Sequence, residues 1–484
     1  MTQSEEDVGT DMSQTDNEKS DPETAKAAEQ AEKAERTQPT EHYDDPDLDK
    51  GYAWVICIAI FILNFNTWGM NSGFAVYLSD YINNNVYPGT SKEQYSFIGG
   101  ISFGVGLALT PVINYIYGII GVKTTVIMGN CMQFAGLFLA SFTTKYWQLV
   151  LTQGLLNSFG LAFIALPAIT LLPQYFKKKR TMAAGLATAG AGAGGIVYNL
   201  GMQKILQVKS VHWALRAQCI IAFGLIWISI FLIRSRAQHH KIVFTAYDPQ
   251  VIRSPGFYML TSYIVFCMFA YTILLYTMVN FTTSLGYSGY QGSIASALVA
   301  AGSVIGRPFT GVIGDRGGPI TVAAIVYAIC AIFTFSMWIP ARNLATVYVF
   351  SVIIGGLMGC VYTSIGAICA RLSGLKKMNV TFSMVWVFMG LAGIFSPVIG
   401  LKLKQGSGGY VDPTQYLHCQ IFVGFSFVGC SLSAFLLRGY IIARDKVHDD
   451  SDTMVDLDGD VLHLGTDMKS VLKGVFQLRS KRIV

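Results

Sequence analysis

The sequence predicts an all-α membrane protein with twelve transmembrane helices in two six-helix halves. Three observations point there. The chain of 484 residues is 52% hydrophobic, only 13% charged and carries 49 glycines, unlike a soluble domain. Its charges are segregated: residues 1–50 hold 16 acids and 5 bases, residues 445–484 hold 8 and 6, and the long middle holds 5 acids against 24 bases. From Gly51 on, apolar stretches long enough to cross a hydrocarbon core of ~30 Å recur along the chain.

Residues 1–48 are acidic and nearly free of large apolar side chains, so they cannot offset the entropy of ordering and are expected to be a disordered cytoplasmic tail. The tail is either a plain solvated segment or a site where regulatory partners direct phosphorylation or ubiquitin-dependent turnover. It has no positive region leading into an apolar one, so the first span is expected to serve as the insertion signal. Spans are placed near 53–78, 95–119, 124–142, 147–171, 181–203, 212–234, 257–281, 290–313, 319–339, 345–370, 379–401 and 415–441. With the N-terminus inside, the inner turns and ends collect 15 cations and the outer turns seven, which puts both termini in the cytoplasm. The cations sit in short turns between apolar spans, so they anchor the chain against membrane lipid and imply no nucleic-acid partner. The polar connection 235–256, with Asp248-Pro249 and Ser254-Pro255, separates a half at 49–234 from a half at 257–444, and 445–484 forms a second cytoplasmic tail. Two six-span repeats suggest a carrier that opens alternately to each side of the membrane.

The stretch Tyr175–Gly195 joins four cations, Lys177 to Arg180, to a run stepped with Gly185, Gly190, Gly192, Gly194 and Gly195. In water such a helix is poor, because each interior glycine costs about 1 kcal/mol relative to alanine. In lipid it suits close helix packing, and Gly190 and Gly194 have the four-residue spacing of a small-residue face. No strand precedes the run and no Lys-Ser/Thr follows it, so it is not a phosphate loop. The nine cysteines show no CxxC spacing and read as small core residues. No histidine lies deep in a span, and neither a metal site, a cofactor site nor a nucleophile–base pair is expected.

Of the five acids in the middle of the chain, only Asp315 touches a span. It belongs to GVIGDRGGP at the inner end of span eight, where Gly311, Asp315 and Arg316, with Arg180 opposite, are expected to form a conformational gate. A carboxylate and a guanidinium there can latch the halves and release them; the plainer reading is a juxtamembrane charge pair. Arg307 lies inside span eight with Ser303, not an acid, one turn earlier. A cation at that depth costs several kcal/mol unless it faces water, a partner or a substrate. It either binds an anionic or electron-rich part of the substrate or bonds backbone carbonyls near a kink at Pro308. Asn66 and Asn71 with Trp68, Asn157, Tyr276, Tyr362 and Trp386 complete the candidate substrate site, suited to a planar or carboxylated organic molecule.

Three motifs resemble one family. Asp49-Lys-Gly-Tyr-Ala-Trp54, Tyr175-Phe-Lys-Lys-Lys-Arg180 with its glycine-rich sequel, and Gly306-Arg307-Pro308 followed by Gly311 and Asp315-Arg316 are similar to the signatures of the monocarboxylate porter family of the major facilitator superfamily. Stretches such as NFNTWGMNSGFAVYL look particularly like its yeast branch of monocarboxylate-transporter homologues. The resemblance implies the major facilitator fold and transport of a small organic solute, monocarboxylate-like or riboflavin-like, by a non-enzymatic protein; the sequence is compatible with either the plasma or the vacuolar membrane. Proton-coupled animal members carry a lysine in span one and an aspartate four residues before the span-eight arginine. Here span one has no lysine and Ser303 takes the aspartate position, so uniport or weakly coupled transport is expected. Proton-coupled symport and a non-transporting nutrient receptor on the same fold are the alternatives.

Overall fold

The computed structural model describes residues 49–84, 86–234, 245–405, 413–450, 468–475 and 477. The acidic tail at 1–48, residues 235–244 of the connection, Asp412, and residues 451–467 and 478–484 of the second tail lie outside them. Among the described residues there is no strand.

Among the described residues nine helices are long and apolar enough to cross a membrane, yet those residues make twelve passes. Leu344–Lys402 is two passes, because Gly374 breaks it with φ 74° and ψ 164°. Gly121 (φ 77°, ψ 169°) likewise separates residues 92–120 from 122–140. That backbone region is open essentially only to glycine. The remaining pass, Arg180–Val208, falls short on hydropathy because it is built largely of glycine and alanine. In order the passes are α1 (Tyr52–Leu78), α2 (92–120), α3 (122–140), α4 (Tyr146–Tyr175), α5 (Arg180–Val208), α6 (Val211–Leu232), α7 (Pro255–Ser284), α8 (Gly289–Gly317), α9 (Pro319–Trp338), α10 (344–373), α11 (375–402) and α12 (Leu417–Asp450). A short α13 (Met468–Val475) packs on α12.

Local chemistry starts and bends these helices. Ser91 and Gln94 open α2 with reciprocal side chain–backbone bonds, and Ser288 and Gln291 do the same for α8, the matching pass of the second half. In α1 the side chains of Asn64, Asn66 and Thr67 bond back to the carbonyls of Ile60, Ile62 and Leu63 at 2.9, 2.8 and 2.8 Å. Three such competitors within four residues loosen the ladder, and Phe65–Gly69 forms a wide π turn.

The halves meet along two seams, α5 on α8 and α2 on α11. Close approach explains the glycine run of α5. A Cβ on Gly190 would strike the carbonyl of Phe61, and one on Gly194 that of Phe65, so this face receives α1. Gly185 and Gly192 turn the other way, toward Arg307 and Ser303 of α8. Eight of the cysteines are buried, Cys131 is exposed, and all nine are free thiols.

One end of the bundle carries both ends of the described membrane core. There Asp49 accepts hydrogen bonds from the backbone N–H groups of Lys177, Lys178 and Lys179 at 3.3, 3.0 and 3.0 Å. Trp54 meets Phe176 edge-on, with ring centroids 5.3 Å apart, so the first two of the family-like motifs form one contact. At the same end Asp445 pairs with Arg371 (2.6 Å), and the buried Arg444 donates to the carbonyls of Leu372 (2.8 Å) and Arg371 (3.0 Å). We call this end the terminal face.

Candidate functional site

Between the halves lies a cavity of about 100 Å³. Its wall runs over residues 64–72 of α1, 188–199 of α5, 271–276 of α7 and 296–307 of α8, so it extends from Arg307 toward the face opposite the termini. Toward the terminal face the seam is closed. A Cβ on Gly311 would meet Met182 Cα at 3.0 Å, and Thr110 Oγ1 of α2 donates to the carbonyl of Ser383 of α11 at 2.9 Å.

Arg307 forms the inner end of the cavity and is 4% exposed. One terminal nitrogen donates to the Thr188 carbonyl on α5 at 2.6 Å, the other to the Tyr271 hydroxyl at 3.4 Å. The guanidinium carbon stands 5.0 Å from the centre of the Tyr362 ring. Its Nε–H is buried without an acceptor. Gly359 makes room for it: a methyl there would lie 2.7 Å from Nε. Trp68 also lines the cavity, and its indole Nε1–H is a second buried donor without an acceptor. The ring of Trp68 leans on Phe103 and Tyr362, with centroids at 5.4 and 5.9 Å. Among the described residues no Asp, Glu, His or Lys lines the cavity, and Arg307 is the one formal charge on its wall.

Of the residues singled out in the sequence, Arg307, Asn71, Tyr276 and Tyr362 are brought together around this cavity. Asn66, Asn157 and Trp386 stand behind its wall. The Asn66 amide oxygen accepts from the Tyr198 hydroxyl at 2.6 Å while its NH₂ bonds the Ile62 carbonyl, which occupies both ends of the side chain. Asn157 donates to Ser102 Oγ at 2.9 Å, and Ser102 donates to Asn71 Oδ1 at 3.0 Å, so Asn157 reaches the cavity only through this relay. Trp386 is 1% exposed and supports Trp68 edge-on at 6.1 Å.

At the terminal face the Asp315 carboxylate accepts from the backbone N–H groups of Thr181 (2.8 Å) and Met182 (2.9 Å). These are orphan donors at the start of α5, and the helix dipole favours a negative charge there. The cross-half contact is thus carboxylate to helix N-terminus. Arg180 Nε donates to the Phe176 carbonyl at 2.8 Å, and Arg316 is exposed at the end of α8. Thr188 escaped the sequence reading because its contribution is a backbone carbonyl, and Gly359 because its contribution is empty space.

The family model for the Major Facilitator Superfamily matches residues 56–397. The chain is 42% identical over 436 residues to "Probable transporter MCH2" of Saccharomyces cerevisiae, spanning 89% of this chain and 91% of that one. It is 23% identical over 421 residues to "Riboflavin transporter MCH5" of the same yeast, spanning 81% and 78%. Among solved structures, the proton:xylose symporter XylE superposes with a TM-score of 0.62 at 10% identity, over 80% of this chain and 94% of that one. The fold, the matched segment and the relatives agree: this chain belongs to the Major Facilitator Superfamily and is a multi-pass integral membrane transporter, not an enzyme.

Proposed function

We propose that this transporter carries a small organic solute bearing a carboxylate or carbonyl acceptor, monocarboxylate-like or riboflavin-like, by uniport or weakly coupled alternating access. The observation that carries the reading is the pair of unaccepted donors, Arg307 Nε and Trp68 Nε1, in one aromatic-lined cavity. Buried donors without partners are destabilising until something supplies an acceptor, and a solute oxygen does so. Tyr271, Tyr276, Tyr362 and Phe103 supply flat apolar walls for the body of the solute. Among the described residues lining the cavity there is no carboxylate or imidazole to carry a proton with the solute near neutral pH. The excess of cations on the inner turns supports cytoplasmic termini, an orientation that suits the plasma membrane and the vacuolar membrane alike.

In this reading Asp315 on the amides of Thr181 and Met182, with Gly311 beside it, stabilises the state closed at the terminal face, while Arg180 and Arg316 flank the contact. Release of that contact opens the cavity to the other compartment. The test is uptake of labelled lactate, pyruvate and riboflavin by cells expressing Arg307→Ala at normal surface level. Transport of the recognised solute is expected to fall at least about 10-fold, the loss of one charged hydrogen bond. Unimpaired uptake overturns the assignment.

A further inference from the structure

The Arg307 guanidinium serves two groups that belong to different halves. Its own half holds it from two sides, through the Tyr271 hydroxyl on α7 and the face of Tyr362 on α10. Its shortest bond, 2.6 Å, goes to the Thr188 carbonyl on α5 of the other half. No acid lies on its own helix within one turn: Ser303 stands four residues before it and Gly311 four after. The charge is 4% exposed, so this carbonyl is a substantial part of what solvates it.

The bond sits at a decisive level of the seam. On the terminal side of it α5 and α8 are in backbone contact, with Gly185 against Arg307 and Gly311 against Thr181. On the far side the two helices still touch at Gly192, where a Cβ would lie 2.8 Å from the Ala300 carbonyl, and the cavity opens beside them with Ser296 and Asn199 on its wall. Thr188 lines the cavity, as Arg307 does, so its carbonyl ties the halves at the cavity wall itself. Its own hydroxyl bonds the Ala184 carbonyl at 2.7 Å, so the side chain is committed to α5 and only the backbone oxygen reaches across.

We propose that Arg307 is the tie between the halves in this state, and that a bound solute and the Thr188 carbonyl compete for its guanidinium. The inference rests on the reading that Arg307 meets the solute. An anionic oxygen entering the cavity is a better acceptor than a neutral amide carbonyl. As the guanidinium turns toward it, the tie to α5 is lost and the seam is weakened on the terminal side. Solute binding thereby lowers the barrier to opening at the terminal face, with no titrating group involved. Occupancy and movement are coupled because the free Nε–H that meets the solute and the Nη1–H on the Thr188 carbonyl belong to one rigid plane, so turning the plane toward the solute turns it away from α5.

The test needs no ligand, which separates it from the transport reading. The full chain in lipid nanodiscs, with Cys131→Ser to remove the exposed thiol, is spin-labelled at Lys123→Cys and Lys376→Cys, two exposed terminal-face positions in opposite halves. Distances are measured by pulsed electron resonance without added solute. In Arg307→Ala the longer-distance, terminal-open population is expected to rise by about 10- to 100-fold relative to the closed one, the factor for losing a charged hydrogen bond. Gly359→Ala keeps the charge but places a methyl 2.7 Å from Nε, and is expected to shift the same ratio in the same direction even if Arg307→Ala does not fold. Distance distributions identical to the parent in both variants overturn the tie, whatever uptake does. Shifted distances with unimpaired uptake uphold the tie and overturn the solute contact.

Discussion

Replacing Asp315 by asparagine tests the terminal-face contact with the least change of shape. The aspartate gives one oxygen to each of two consecutive backbone N–H groups, at 2.8 and 2.9 Å. Asparagine keeps one acceptor oxygen and loses the other bond and the charge. A hydrogen bond to a charged group is worth about 1.5–3 kcal/mol net. The charge at a helix N-terminus adds about 0.3–1 kcal/mol, less where salt screens it. Asp315 is half-buried, so the lower ends apply, and the sum is about 2 kcal/mol. That corresponds to about a 30-fold rise in the terminal-open to terminal-closed ratio. Labels at Lys123 and Lys376 read the ratio directly, and titrating salt on the parent reads how much of it is electrostatic. A ratio within twofold of the parent would refute the argument that this carboxylate holds the seam.

Four further outcomes follow from the geometry. Gly190→Leu forces a side chain into the Phe61 carbonyl, and the yield of folded protein is expected to collapse, as measured by monodisperse elution from detergent; overpacking costs about 1–3 kcal/mol even where neighbours can adjust. Asn66→Leu strands the buried Tyr198 hydroxyl and is expected to lower thermal stability while leaving the apparent solute KM near normal, whereas Asn71→Ala is expected to raise KM with little effect on melting. Asp49→Ala removes a carboxylate shared by three backbone donors and is expected to cost about 2 kcal/mol, seen as a lower melting temperature and faster proteolysis at the 177–179 turn. Arg444→Ala leaves the Leu372 carbonyl and Asp445 short of a buried donor, and a loss of about 3 kcal/mol is expected from the same melting assay.

Much of this architecture is legible in the sequence because lipid imposes a coarse code. Apolar length marks most passes, and the cation cluster before the glycine run marks α5 even though hydropathy alone passes it over. Arg307 and Asp315 stand out because charges at those depths are rare and expensive. What the sequence hides is what backbone and empty space do. The partner of Arg307 is the carbonyl of Thr188, and the partners of Asp315 are the amides of Thr181 and Met182, so no complementary side chain announces either contact. The polar residues of α1 show the same limit. Asn64, Asn66 and Asn71 look alike in a list of intramembrane amides, but the π turn at Phe65–Gly69 directs Asn66 to Tyr198, leaving Asn64 and Asn71 at the cavity.

The most direct test of the account is transport by the purified chain in liposomes, with labelled lactate, pyruvate and riboflavin, with and without an imposed pH gradient. The account predicts that one solute equilibrates at a rate indifferent to the gradient and that Arg307→Ala lowers the flux at least about 10-fold. Accumulation above equilibrium driven by the gradient, or full flux through Arg307→Ala, would contradict it.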